Sequence, residues 1–109
     1  MKIGVISDTH IPDRAKDIPK EILDEFKNVD MIIHVGDLVD LGVLKKLMTV
    51  CNNVRAVWGN MDPMEVRNKL PEKEVIEIGN YKIGIMHGYG PPHKLIELLT
   101  SVFKNDNVI

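Results

Sequence analysis

One cysteine, Cys51, is the whole thiol complement of the 109 residues. A single thiol excludes an internal disulfide and any thiolate zinc cluster, so a metal held by this chain must use oxygen and nitrogen ligands. Cys51 itself, on an apolar helical pattern, reads as a small core residue. The longest apolar runs break after a handful of residues and no signal-peptide pattern opens the chain. Neither a membrane span nor export is supported, and a cytoplasmic protein is expected. Charge of one sign is lacking too: 14 Lys and Arg are scattered among 16 Asp and Glu, for a net charge of -2. That argues against a dedicated nucleic-acid surface or a membrane-seeking face and points to small-molecule partners, while leaving a homo-oligomer open. Low-complexity tracts and a convincing Ser or Cys nucleophile motif are also missing.

What is present suits one folded domain. Hydrophobic residues make up 44% and charged residues 28%, the balance of a globular chain long enough for a core. Three short Val- and Ile-rich runs without alternation, Lys2 to Ile6, Met31 to Val35 and Val54 to Trp58, read as strands of a buried parallel sheet. Ile18, Ile22, Leu23, Phe26 and Val29 share one helical face between the first two, with Pro19 suited to the first turn. Leu44, Leu47, Met48 and Cys51 repeat the pattern between the next two, and Asp40 is placed to cap that helix. The order is βαβαβ. In "EVIEIGNYKIGIM", Gly79-Asn80 separates two β-rich runs as a two-residue hairpin turn would. Leu95, Ile96, Leu99, Val102 and Phe103 mark a further amphipathic helix. A loose repetition links the chain's two ends: "FKNVDMII" leads from the first helix into a strand, and "FKNDNVI" begins the same move after the last helix.

In a parallel sheet with helical crossovers, the C-terminal ends of the strands share an edge where ligands bind. Four expected strand ends carry metal-competent groups: Asp8 and His10, Asp37, Asn60 with Asp62, and His87. Taken singly, Asp, Asn and Gly after a strand are turn formers, and a lone histidine is more often a hydrogen-bonded one than a ligand. Independent turns have no reason to place Asp8, His10, Asp37, Asn60 and His87 on one edge, and their convergence points to a metal site. Carboxylate, amide and imidazole together suit Mn²⁺, Fe²⁺, Ni²⁺ or Zn²⁺. His34, inside the second strand, reads as a core hydrogen-bonding histidine, His93 as solvated, Trp58 as a packing residue, and Asp13 with Arg14 as an exposed loop pair.

The ordered motifs Asp8-Thr9-His10, Gly36-Asp37-Leu38-Val39-Asp40, Gly59-Asn60-Met61-Asp62 and His87-Gly88 resemble those of the calcineurin-like metallophosphoesterases. The likeness is to the small bacterial and archaeal phosphodiesterase branch related to the retromer subunit. The resemblance implies an α/β (α+β) fold, a β-sandwich flanked by helices, with two divalent ions about 3.5 to 4 Å apart, manganese foremost. It assigns Asp8 and His10 to one ion, Asn60 and His87 to the other, and Asp37 to a bridge between them. It also implies attack on a small phosphodiester by a metal-bound hydroxide. The two residues given a part in catalysis are Asn60, whose NH₂ would be free for a phosphate oxygen, and Asp62, which with Asp40 would orient the ligands.

Two departures from the family stand out. Met61 occupies the position of a histidine that many relatives have as a proposed general acid, and the closing Gly-His-x-His motif, which would add one ligand to each metal, is absent from the sequence. Residues 1–109 therefore read as a single domain truncated at its C-terminus, with a further strand expected just beyond Ile109. The rival reading, from a different functional class, is a metal-poor interaction scaffold of the retromer-subunit type.

Overall fold

The structure is a computed structural model that describes residues 1–12, 16–106 and 108. The Asp13-Arg14 pair lies outside the described residues, as do Asn107 and Ile109 of the closing segment.

Strands β1 (Ile3–Ile6), β2 (Met31–His34) and β3 (Val54–Ala56) form a parallel sheet with β2 in the centre. Helices α1 (Lys20–Phe26) and α2 (Gly42–Met48) are the crossovers. Strands β4 (Lys73–Ile78) and β5 (Tyr81–Met86) form an antiparallel hairpin in which Ile78 pairs with Tyr81 across Gly79-Asn80, as the sequence predicts. The expected βαβαβ start and the hairpin are thus both present. A 3-10 turn (Pro92–Lys94) leads into α4 (Leu95–Val102).

Alternation along β2 explains the two-sided core. Ile32 joins Ile18, Leu38, Val43, Leu47, Cys51 and Val66 on the helix side, while Met31 and Ile33 meet Val57, Ile76 and Ile85 on the hairpin side. Helices cover one face of the parallel sheet and the second sheet covers the other, which is the flanked sandwich expected. Cys51 is buried and free, as read from the sequence.

Four details differ from the expectation. β3 stops at Ala56 rather than Trp58, because the Trp58 N–H leaves the sheet and donates to the Pro71 carbonyl at 3.0 Å. Val5 on the edge strand β1 is 63% exposed, since a strand with one neighbour is not enclosed as β2 is. Met48 and Ile96, assigned to buried faces, are exposed: α2 buries Leu47 as expected but turns Val43 inward in place of Met48, and α4 packs through Phe103 just past its end. Finally, α3 (Met64–Lys69) was not expected; it has six residues and buries only Val66, too little for a periodic signal.

Two glycines receive aromatic rings in the same way. A Cβ on Gly4 of β1 would lie 2.6 Å from the Phe26 ring, and one on Gly84 of β5 would lie 2.7 Å from the Phe103 ring. The repeated "FKN" of the sequence therefore marks equivalent positions at the C-terminal ends of α1 and α4, each seated on a "KIG" strand. Among the described residues, no helix is long and apolar enough to cross a membrane.

Candidate metal centre

The loops leaving β1, β2, β3 and β5 meet at one end of the parallel sheet. Asp8 Oδ1, Asp37 Oδ2 and His87 Nε2 are the nucleus of the site: His87 Nε2 lies 3.1 Å from each carboxylate oxygen. His10 Nε2 stands 3.8 Å from Asp8 and 3.7 Å from Asp37. Asp8 is exposed, whereas His10 and Asp37 are buried. Asn60 is exposed beside this group, and lines a hollow of about 240 Å³ with His87, Gly88, Tyr89, Gly90 and Leu95. A larger cavity of about 670 Å³, between β5 and α4, holds none of these ligating side chains. Of the residues picked from the sequence, Asp8, His10, Asp37 and His87 converge directly and Asn60 borders them.

The backbone around the site is strained. Asp8, His10, Asp37 and Val39 have φ of 56°, 47°, 59° and 75°. Asp tolerates the left-handed region, but a β-branched residue such as Val39 does so at real cost, so neighbouring contacts must hold it. Asp62 supplies those contacts. Its Oδ2 accepts the N–H groups of Asp37 at 2.9 Å and Gly59 at 2.8 Å, and its Oδ1 accepts that of Val39 at 2.6 Å. Three backbone donors thus fill a carboxylate that is 4% exposed, and Asp62 ties the Asp37 loop to the loop after β3. Asp40 does something more local, its Oδ1 accepting the Gly42 N–H at 2.7 Å at the start of α2. Gly59 lets the loops close, since a Cβ there would sit 2.6 Å from the Asp37 nitrogen.

Three contributors escaped sequence reasoning. Ser7 Oγ donates to Asp8 Oδ2 at 2.7 Å. Arg67 of α3 donates to the Asp62 and Asn60 carbonyls, each at 3.0 Å, while its guanidinium lies 4.5 Å from the Trp58 ring centre. His34, read as a core histidine, indeed hydrogen-bonds in the core, but both its partners belong to site loops. The "GNMDP" run followed by Arg at position 67 held the only trace of the Arg67 clamp; Ser7 sits beside Asp8 in the sequence, while the contact from His34 to Thr9 spans 25 positions and carried no signal.

Electrostatics follow the geometry. Burial lowers the affinity of the His87 ring for a proton, but its hydrogen bonds to Asp8 and Gly88 and the charges of Asp37 and Asp8 outweigh this and raise its pKa above 6.5. Burial raises the Asp8 pKa, and the Ser7 and His87 hydrogen bonds more than offset that, leaving it below 3.8. Among the described residues no Lys or Arg pairs with the Asp8, Asp37 or Asp62 carboxylates. The donor set fits a divalent ion: donors about 2 Å from a shared ion stand about 3 to 4 Å apart, and these do.

Known proteins carry the same arrangement of sequence and fold. The chain is 52% identical over 88 residues to a probable metallophosphoesterase of Methanocaldococcus jannaschii, covering 81% of this chain and 43% of that protein. It is 35% identical over 102 residues to a phosphodiesterase of the same organism, covering 82% and 60%. The crystal structure of Chaetomium thermophilum Vps29 superposes with a TM-score of 0.79 at 25% identity, covering 95% of this chain and 57% of that one. The chain thus spans about half the length of the curated relatives it matches. Its sequence matches the calcineurin-like phosphoesterase superfamily domain over residues 1–109, and the chain belongs to that family.

Proposed function

We propose that this chain carries the dinuclear metal site of a phosphoesterase acting on small phosphodiesters, with Asp8, His10, Asp37, Asn60 and His87 as protein ligands. The observation that carries the reading is the position of Asp37, whose Oδ2 faces His10 Nε2 at 3.7 Å and His87 Nε2 at 3.1 Å. Two ions need an anionic group between them. Asp8 Oδ1 faces the same two nitrogens at 3.8 and 3.1 Å, but Asp37 is buried where Asp8 is exposed, and the family motif gives Asp37 the bridge. Asp8 and His10 would take one ion, and Asn60 and His87 the other. Mn²⁺ is our first choice, with Fe²⁺, Ni²⁺ and Zn²⁺ suited to the same donors.

When bound, such a pair supplies Lewis-acid charge for the phosphoryl oxygens and acidifies the water that attacks in line. The protein's own residues orient and hold. Asp62 fixes the Asp37 backbone, Asn60 offers an NH₂ to a phosphate oxygen, and Ser7 steadies Asp8. Met61, 56% exposed beside Asn60, brings no proton for the leaving group. The sequence similarity to a named phosphodiesterase supports the reaction class.

The scaffold reading draws its support from the likeness to Vps29. Metal analysis with Mn²⁺ titration separates the two. Two ions per chain support the enzyme; no binding at millimolar Mn²⁺ gives preference to the scaffold. For residues 1–109 by themselves we expect weak binding and little turnover of bis(p-nitrophenyl) phosphate. A polypeptide that adds a Gly-His-x-His strand should hydrolyse it.

A further inference from the structure

We propose that His34 is a positioning residue that locks the loop carrying Asp8 and His10 to the loop carrying Asp37, through hydrogen bonds to Thr9 and Gly36. The inference deepens the metal-site reading and rests on it for its functional consequence, but the locking itself is a property of the ion-free chain.

His34 ends β2 and is fully buried. Its Nδ1 accepts the Gly36 N–H at 3.2 Å, so the ring hydrogen belongs on Nε2, which donates to Thr9 Oγ1 at 3.0 Å. One donor and one acceptor require a neutral ring. Burial provides it, pushing the pKa down to about 4 against the opposing charges of Asp62 and Asp8. Both partners adjoin the ligating residues: Thr9 separates Asp8 from His10, and Gly36 precedes Asp37.

The placement answers a mechanical need. Thr9 is flanked by two residues with positive φ, and Gly36 and Asp37 also have positive φ. Glycine takes such a conformation freely, but at the non-glycine positions Asp8, His10 and Asp37 it persists only where the surroundings over-determine it. The backbone joins the loops at two points, Asp8 N–H to the Gly36 carbonyl at 2.9 Å and His10 N–H to the Asp37 carbonyl at 3.1 Å. Asp62 braces the Asp37 loop against the β3 loop. His34 is the corresponding brace against the β1 loop. A histidine that merely satisfied itself in the core would have no need of both loops.

The test uses substitutions that divide the two bonds. His34→Asn keeps an acceptor near the Nδ1 position and loses the reach to Thr9; Thr9→Val removes the same bond from the other side, and Thr9→Ser keeps it. The first readout is amide hydrogen exchange in the ion-free chain. We expect Thr9→Val to speed exchange at Asp8 and His10 about tenfold and leave Ile32 unchanged, with Thr9→Ser restoring protection. The second is Mn²⁺ affinity, expected to fall about tenfold in His34→Asn and in Thr9→Val, with no further loss in the double variant, since both delete one interaction. Unchanged exchange at Asp8 and His10, or an equal rise at Ile32, overturns the proposal, as do fully additive losses of affinity. A chain that binds no Mn²⁺ but shows the expected exchange pattern refutes the metal-site reading and leaves the brace standing.

Discussion

The carboxylate of Asp62 accepts the backbone N–H of Asp37 at 2.9 Å. Through this bond and those to Val39 and Gly59, one buried side chain satisfies three donors in two loops. Asp62→Ala should leave those donors unpaired and cost about 3 kcal/mol or more in urea unfolding, a penalty set by desolvation rather than by the bonds themselves. Asp62→Asn should recover part of it, because its one oxygen serves fewer donors. Equal stability of the alanine variant and the parent would show that water replaces the carboxylate.

Asp37→Ala should weaken both ion positions together, by tenfold or more at each, about 1.4 kcal/mol. Titration of Asp8→Ala provides the contrast, since it should affect one position chiefly. Two binding events of unaltered affinity in the Asp37 variant would remove that residue from the site.

A turnover-competent polypeptide containing these residues should prefer aryl over alkyl phosphodiesters. Met61 offers no proton, and only leaving groups of low pKa do without one. Met61→His should then raise rates most for the poorest leaving groups. A uniform gain across a leaving-group series, or none, would place the limiting step elsewhere.

His34 makes stability acid-sensitive. Its pKa falls from 6.5 in the unfolded chain to about 4 in the fold, burial being the main cause. Protons therefore bind the unfolded chain first as pH drops below 6.5. The stabilisation is complete above that value and is lost progressively down to about pH 4, to a total of roughly 3 kcal/mol. Urea midpoints measured across that range should fall more steeply for the parent than for His34→Gln, which has no proton to gain. Parallel curves would contradict the assignment.

Much of this molecule was legible in its sequence. The three Val- and Ile-rich runs became the parallel sheet because burial on both faces of β2 removes alternation, and Gly79-Asn80 fixed the hairpin register through local turn geometry alone. Asp8, His10 and Asp37 could be gathered because the ends of parallel strands share an edge, whereas His87 follows β5 of the antiparallel hairpin and joins them from the second sheet. What stayed hidden depends on distance through space. Nothing in the vicinity of Val5 or Ile96 tells whether a neighbour covers them, and α3 is too short for a period. His34 looked like any core histidine, since a sequence shows a ring but not the two loops its nitrogens reach.

The aromatic seats on Gly4 and Gly84 give the domain a hidden two-part architecture. Each glycine sits on a strand whose following loop delivers a site residue, Asp8 four positions after Gly4 and His87 three positions after Gly84, and these two side chains meet at 3.1 Å. The candidate metal centre is therefore a seam where two look-alike β-loop-α units abut. A methyl group at either glycine would collide with its aromatic ring and push the helix off the strand, so a change three or four residues away from the seam would still pull its lips apart.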